Sequence, residues 1–308
     1  MEVLSPDFDS PPVIVIGMHR SGTTLLSHLL RTMGVHMGAD TTTRTDESVF
    51  FRNLNDGLLD HASARWHRPS PMWETLSNQS CVRRLAEQLE STWNSAASLE
   101  FRRCDLPAAT RWGWKDPRTT ITLPIWLQLF RNAQVIHIVR YGVDVSDSLV
   151  RRSRIRKRLT WAGRGRAVIR FMTAWQQSQI GPRPIAKHRF RSLDEAFELW
   201  NCYLLFAEYG MQGVSSDRIH RLRFEDLTEQ PKRELEQLAC FVGCRQTPSE
   251  IEKMAELVNG KRAWAFTDSA DLIGFADRHH QLPVMKRYGY GSEAQQRLSD
   301  RQSFRKAG

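Results

Sequence analysis

The stretch Pro12-Val13-Ile14-Val15-Ile16-Gly17-Met18-His19-Arg20-Ser21-Gly22-Thr23-Thr24-Leu25-Leu26 constrains the fold of this chain more than any other. An uninterrupted run of Val and Ile ending at Gly17 reads as a short strand buried on both faces. Leu25, Leu26, Leu29 and Leu30 fall on one face of a helix from Thr23 to Met33, which Gly34 stops. Residues 17–24 form the loop between them. Glycines let successive backbone N–H groups curl around an anion, and the helix N-terminus adds its partial positive charge. The spacing G-x4-G is that of a Walker A loop, but Thr23 stands where the Walker Lys belongs. The loop's cation is Arg20, ahead of the second glycine.

The rest of the chain repeats the alternation of strand and helix. Trp112–Lys115, Gln134–Val139 and Ile219–Phe224 read as strands. Helices are expected at Glu47 to about His61, over 79–101, from Asp116-Pro117, from about Val143, and over 192–211, 231–242 and 248–258. Residues 38–45 read as a Thr-rich loop and 62–77 as an irregular excursion. The pattern predicts an α/β protein, a central parallel sheet with helices on both faces. The expected organisation is a loose N-terminal arm over 1–11, one domain over 12–290 and a polar tail over 291–308.

The chain has 308 residues and a formal charge of +10, with 41 % hydrophobic and 25 % charged residues, an ordinary globular composition. The positive excess is local: no acidic residue lies between Leu149 and Leu193, while Arg151 to Arg191 holds 13 Lys or Arg. Such a field attracts nucleotides, acidic glycans, nucleic acid or a membrane surface, or is a solvated face. No apolar run reaches the roughly 20 residues that span a bilayer. Neither a secretory start nor a CxxC pair is present, and the odd cysteine count fits a reduced compartment, so a cytoplasmic location is expected. No spacing of Cys or His suggests a metal site.

A second motif follows the strand at 134–139. Arg140 stands at its carboxyl end, where ligands bind in open α/β sheets. Asp144, Ser148 and Arg152 follow at spacings of four, so they share one helix face, and Ser146 is out of phase with them. Arg140 can pair with a phosphate through two N–H groups, and Ser148 can add a third hydrogen bond.

The strand-RSGTTLL-helix segment resembles the 5′-phosphosulfate loop of sulfotransferases that use 3′-phosphoadenosine 5′-phosphosulfate (PAPS), in particular bacterial members and the tyrosylprotein and carbohydrate enzymes. The segment around Arg140 and Ser148 is similar to that family's 3′-phosphate motif, and Arg152 matches a further phosphate-binding Arg of some members. Trp112-Gly113-Trp114-Lys115-Asp116-Pro117-Arg118, Leu222-Arg223-Phe224-Glu225-Asp226-Leu227 and Leu282-Pro283…Tyr288-Gly289-Tyr290 also resemble bacterial members. Phe224 stands where Tyr is usual. The resemblance spans about residues 12–290, leaves 153–190 unmatched, and implies a P-loop-containing, sulfotransferase-like fold. It implies that Arg20, Ser21, Gly22, Thr23 and Thr24 hold the 5′-phosphosulfate, and that Arg140, Ser148 and Arg152 hold the 3′-phosphate. Lys115 becomes a transition-state cation.

Sulfuryl transfer also needs a base for the acceptor's proton. In the glycan and tyrosylprotein branches a Glu soon after the phosphate loop serves, and Glu47, ahead of Leu54-Asn55-Asp56, is the best match. A helix start at Glu47 would favour its ionised form. His19 and His36 are the alternatives. The reading is direct, metal-free transfer from PAPS to a hydroxyl or amine of a glycan, lipid or small molecule, releasing PAP, with no nucleic acid as partner. The rivals are a P-loop kinase or NTPase using ATP and a nucleic-acid-binding protein using the Arg-rich segment. Trp66, Trp73 and Trp161 are candidates to line an acceptor pocket.

Overall fold

In the computed structural model the described residues are 8–43, 45–103, 111–162 and 188–307, with side chains described up to Arg154 in the third segment and to Ser299 in the last. Most of the basic stretch therefore lies outside the described residues, and so does the side chain of Trp161. Five strands form one sheet: β1 (Val13–Ile16), β2 (Val35–His36), β3 (Arg111–Lys115), β4 (Gln134–Val139) and β5 (Ile219–Arg223). The helices are α1 (Thr23–Thr32), α2 (Val49–His61), α3 (Met72–Ser77), α4 (Gln79–Trp93), α5 (Leu99–Arg102), α6 (Thr119–Leu129) and α7 (Gly142–Ala162). They continue with α8 (Leu193–Gly210), α9 (Phe224–Glu229), α10 (Pro231–Val242), α11 (Pro248–Glu256), α12 (Ala270–His279), α13 (Pro283–Arg287) and α14 (Tyr290–Ala307).

All strand pairs are parallel, in the order β2-β3-β1-β4-β5. The chain leaves β1 towards β2 and β3, then returns to β4 and leaves towards β5. A crevice opens where these connections diverge, beyond the carboxyl ends of β1 and β4. The register aligns Val15 with Lys115, Ile16 with His137, and Val139 with Arg223. The loop after β1, Lys115, Arg140 and Phe224 are thereby gathered along one edge of the sheet.

Strand alternation sends successive side chains to opposite faces, and here both faces are covered. Ile14, Ile16, Trp112, Trp114, Val135 and Val139 pack towards α2, α4, α6 and α8. Val13, Val15, Ile136, Ile138 and Leu222 pack towards α1, α10 and α11. The first face is aromatic: Phe51 stacks on Trp114 at 4.0 Å and Trp93 on Trp112 at 4.9 Å. Trp73 likewise stacks on Phe206 at 3.8 Å.

The structure departs from the expected elements in several places. Val35–His36 is an edge strand too short for a periodic signal. The helix expected over 79–101 ends at Trp93 and resumes as two short turns, because Asn94 and Ser95 leave the helix and Ser95 caps the next turn. The helix after Asp116-Pro117 becomes regular at Thr119, following a tight turn in which the Asp116 carboxylate accepts the Arg118 N–H at 3.2 Å. At the N-terminus, Phe8 packs 5.5 Å from Trp112, whose indole N–H donates to the Ser10 carbonyl. The polar stretch after 290 is helical, and its first turns are anchored by the buried Tyr290 and Ala294.

That anchor runs through Glu225. Its carboxylate accepts the Tyr141 N–H at 2.9 Å and the Tyr290 hydroxyl at 2.8 Å, joining the end of β4 to α14. Burial pushes this carboxyl up to about 7 from the usual 4.5. The unfolded chain therefore releases this proton first as pH rises. The contribution is fully present below about 4.5 and is lost on the way to about 7, a change on the order of 3 kcal/mol. Urea unfolding at a series of pH values should show a shallower fall over that window in Glu225→Gln than in the wild type; equal slopes would reject the assignment.

Candidate active site

The loop after β1 closes through backbone conformations that few residues adopt. Gly22 has φ 94°, and a Cβ there would stand 2.5 Å from the Phe224 ring. A Cβ on Gly17 would meet the Ile138 carbonyl oxygen at 2.4 Å. Arg20 takes φ 76° without being glycine, a strained arrangement of the kind concentrated at functional sites. The first backbone bond of α1 runs from the Leu26 N–H to the Gly22 carbonyl, at 3.1 Å. The N–H groups of Thr23, Thr24 and Leu25 precede it, in the first turn, where backbone donors have no intrahelical partner.

Ser148 comes to this loop from α7. The Arg20 Nε donates to Ser148 Oγ at 2.9 Å, and Arg140 Nη1 donates to the Arg20 carbonyl at 3.3 Å. Ser146, a half-turn away, bonds back to the Gly142 carbonyl at 2.7 Å inside its own helix. Arg140 also pairs with Asp144 at 3.3 Å, donates to the Arg262 carbonyl, and lies 4.9 Å from the centre of the Phe224 ring. Asp144 in turn accepts the Phe266 N–H at 2.8 Å and the Ala265 N–H at 3.2 Å, tying the segment after Arg262 over the cleft.

A cleft of about 290 Å³ results, lined by Arg20, Gly22, Thr23, Thr24, Arg140 and Arg262 among others. Burial, then Arg152, Arg262 and Arg140, lower the Arg20 pKa, the mark of guanidinium groups crowded together. Such a cluster is matched by a ligand with more than one anionic group. A larger cleft, about 480 Å³, lies between α8 and α13, but its lining is mainly apolar and includes no residue of the loop.

The other candidate residues lie on the β3 side. Lys115 is 1 % exposed, its Nζ donates to the Thr45 carbonyl, and the Thr24 hydroxyl donates to that same carbonyl at 3.1 Å. Glu47 lies 3.9 Å from Lys115 and 3.7 Å from Arg118. The structure corrects its expected place: α2 begins at Val49, with Ser48 as its cap, so Glu47 precedes the helix. The direction of its pKa shift also differs from the expectation. Burial, then repulsion from Asp116, push the Glu47 carboxyl up, against the pull of Lys115 and Arg118. Burial pushes Lys115 down, against the pull of Glu47. Desolvation outweighs any helix-start effect and makes Glu47 a stronger proton acceptor than a surface carboxylate.

Two residues in this region received no role from the sequence. Arg118, 3 % exposed, binds Asp56 at 2.7 Å and Asp116 at 2.9 Å as well as facing Glu47. Burial alone would lower its pKa, but Asp116, Asp56 and Glu47 raise it. Its signal was its place in the KDPR segment. Arg262 comes from a short turn far along the chain, and only its neighbour Lys261 marked it. His36, by contrast, is a packing residue: its Nε2 bonds the Phe101 carbonyl at 2.8 Å at the sheet edge.

The chain matches the model of the Sulfotransferase family over residues 11–248. Its fold is similar to that of the sulfotransferase domain from the curacin biosynthetic pathway, at 16 % identity and TM-score 0.44, covering 82 % of this chain and 80 % of that one. It is also similar to sulfotransferase STF9 from Mycobacterium avium, at 16 % identity and TM-score 0.42, covering 80 % and 68 %. A mouse sulfotransferase complexed with PAP is similar at 13 % identity and TM-score 0.42, covering 83 % and 66 %. No curated protein sequence matches this chain.

Asn55 holds the β3 side in place. Its amide donates to Asp116 at 2.8 Å and to Thr119 at 2.9 Å, and its carbonyl accepts the Thr122 hydroxyl at 2.6 Å and the Trp126 N–H at 2.8 Å. Asn55→Ala leaves several buried partners unmet and should cost about 2–4 kcal/mol in urea unfolding. A cost below about 1 kcal/mol would mean that the network carries little of the fold.

Proposed function

This chain belongs to the sulfotransferase family, and from that premise we propose that it moves the sulfuryl group of PAPS directly to an acceptor hydroxyl or amine and releases PAP. The observation that carries this reading is the Arg20–Ser148 hydrogen bond, with Arg140 on the Arg20 carbonyl. It joins an anion-binding loop and a second basic motif into one cleft suited to a nucleotide with phosphate at both ends. In the proposed complex the loop amides with Arg20, Ser21, Gly22, Thr23 and Thr24 hold the 5′-phosphosulfate. Arg140, Ser148 and Arg152 hold the 3′-phosphate, and Arg262 flanks it.

The acceptor oxygen attacks sulfur in line with the bridging oxygen. An O–S bond forms, the bridging S–O bond breaks, and its electron pair stays on the 5′-phosphate of PAP. Glu47 takes the acceptor's proton. Arg20 and Lys115 stabilise charge on the sulfuryl and departing phosphate oxygens, placed in advance of the reaction. Lys115 suits this role because burial weakens its hydration and the Thr45 carbonyl orients it beside Thr24. Acceptors of the glycan, lipid or small-molecule classes are consistent with this chemistry. Among the described residues no helix is long and apolar enough to cross a membrane.

The nucleotide assignment is tested by titrating PAP, ATP with magnesium, and an oligonucleotide while following the melting temperature. PAP should stabilise the wild type most; stabilisation by ATP but not PAP would favour a kinase and sink the proposal. Arg140→Ala with Ser148→Ala should weaken PAP by about 10²-fold and leave adenosine 5′-phosphate much less affected. Glu47→Gln should lower transfer from labelled PAPS by about 10²–10⁴-fold, with PAP affinity nearly unchanged. Unchanged turnover would remove Glu47 from the mechanism.

A further inference from the structure

His19 stands in the loop immediately before Arg20, and the steps above do not use it. The ring as a whole is half-buried, but its Nε2 is buried with no hydrogen-bond partner among the described residues. The ring meets Trp66 edge-on at 4.8 Å and lies 6.4 Å from the Tyr203 ring. The Tyr203 hydroxyl donates to the Trp66 carbonyl at 3.0 Å, so both neighbours are fixed. Buried polar atoms are nearly always paired, and an unpaired one in an anion-binding loop points to a ligand atom.

The surroundings restrict its role. Burial, then Arg118, Lys115, Arg152 and Arg20, lower the pKa of His19 well below the usual range, so the ring is neutral. Protonating it would add a further positive charge beside four cations. It is therefore a poor proton acceptor, which leaves that role to Glu47. A neutral imidazole can still donate one hydrogen bond.

We propose that His19 Nε2–H donates a hydrogen bond to an oxygen of the transferring sulfuryl group and so makes the loop prefer PAPS over PAP. The inference rests on the proposed use of PAPS. A cation in this place would grip the phosphate of the product as firmly as the donor's phosphosulfate. A neutral donor that bonds a sulfuryl oxygen acts only while that group is attached.

The test is calorimetric titration of PAPS and of PAP, without acceptor, into the wild type, His19→Ala and His19→Gln. His19→Ala should weaken PAPS about ten-fold while PAP changes by less than about two-fold, and His19→Gln, which retains an N–H, should recover most of the loss. If alanine loosens the loop, His19→Leu repeats the measurement with the volume against Trp66 kept. Equal weakening of both nucleotides, or no weakening of PAPS, overturns the role of His19 alone. A wild type that binds neither nucleotide overturns the nucleotide assignment and this inference with it.

Discussion

The guanidinium group of Arg140 ties together parts of the chain that have no local reason to meet. It reaches the Arg20 carbonyl across 120 residues and the Arg262 carbonyl across 122, pairs with Asp144, and lies against the Phe224 ring. Its own carbonyl accepts the Trp200 indole N–H at 3.1 Å, so the backbone beneath it is fixed by α8. The parallel register explains why one residue can do this. Arg140 leaves the sheet at the crevice beside the end of β1, where the chain must turn away in both directions. Asp144 offsets part of the crowding of positive charge.

A second set of interactions fixes the β3 side of the candidate site. Glu47, Lys115, Arg118 and Asp116 form a buried network with both signs of charge, Asp56 joins it from the half-exposed side, and Asn55 completes its hydrogen bonds. Buried ion pairs contribute little net stability, because desolvation offsets attraction. Their effect here is on protonation: the same desolvation raises Glu47 and lowers Lys115. The two networks touch at the loop after β1, Arg140 through the Arg20 carbonyl and Lys115 through the Thr45 carbonyl shared with Thr24.

Much of this was legible in the residues. The apolar run at 12–16, the Val and Ile of 134–139 and the glycines around the loop each carry a local signal, since strand burial and positive φ restrict residue type. The phase of Ser148 against Ser146 was readable from helical periodicity alone. The edge strand Val35–His36 was not, because two residues show no period. Nor was the true start of α2, where Asp40 from the preceding loop takes the Phe50 N–H at 2.6 Å and Ser48 caps the helix. The polar stretch after 290 gave no hint of a helix, since Tyr290 is held by the distant Glu225.

By itself, then, the sequence determined the strand-loop-helix unit, the alternation that demands a parallel sheet, and the residue types able to meet an anion. These follow from short-range sterics, periodicity and charge. Only the tertiary structure decided that Arg262 joins Arg20 and Arg140, that Arg118 holds Glu47, and that His19 keeps a buried nitrogen unpaired among the described residues. It also reversed the expected direction of the Glu47 pKa. A pKa depends on burial and on charges brought near by folding, and neither is encoded in the few residues on either side of a carboxylate.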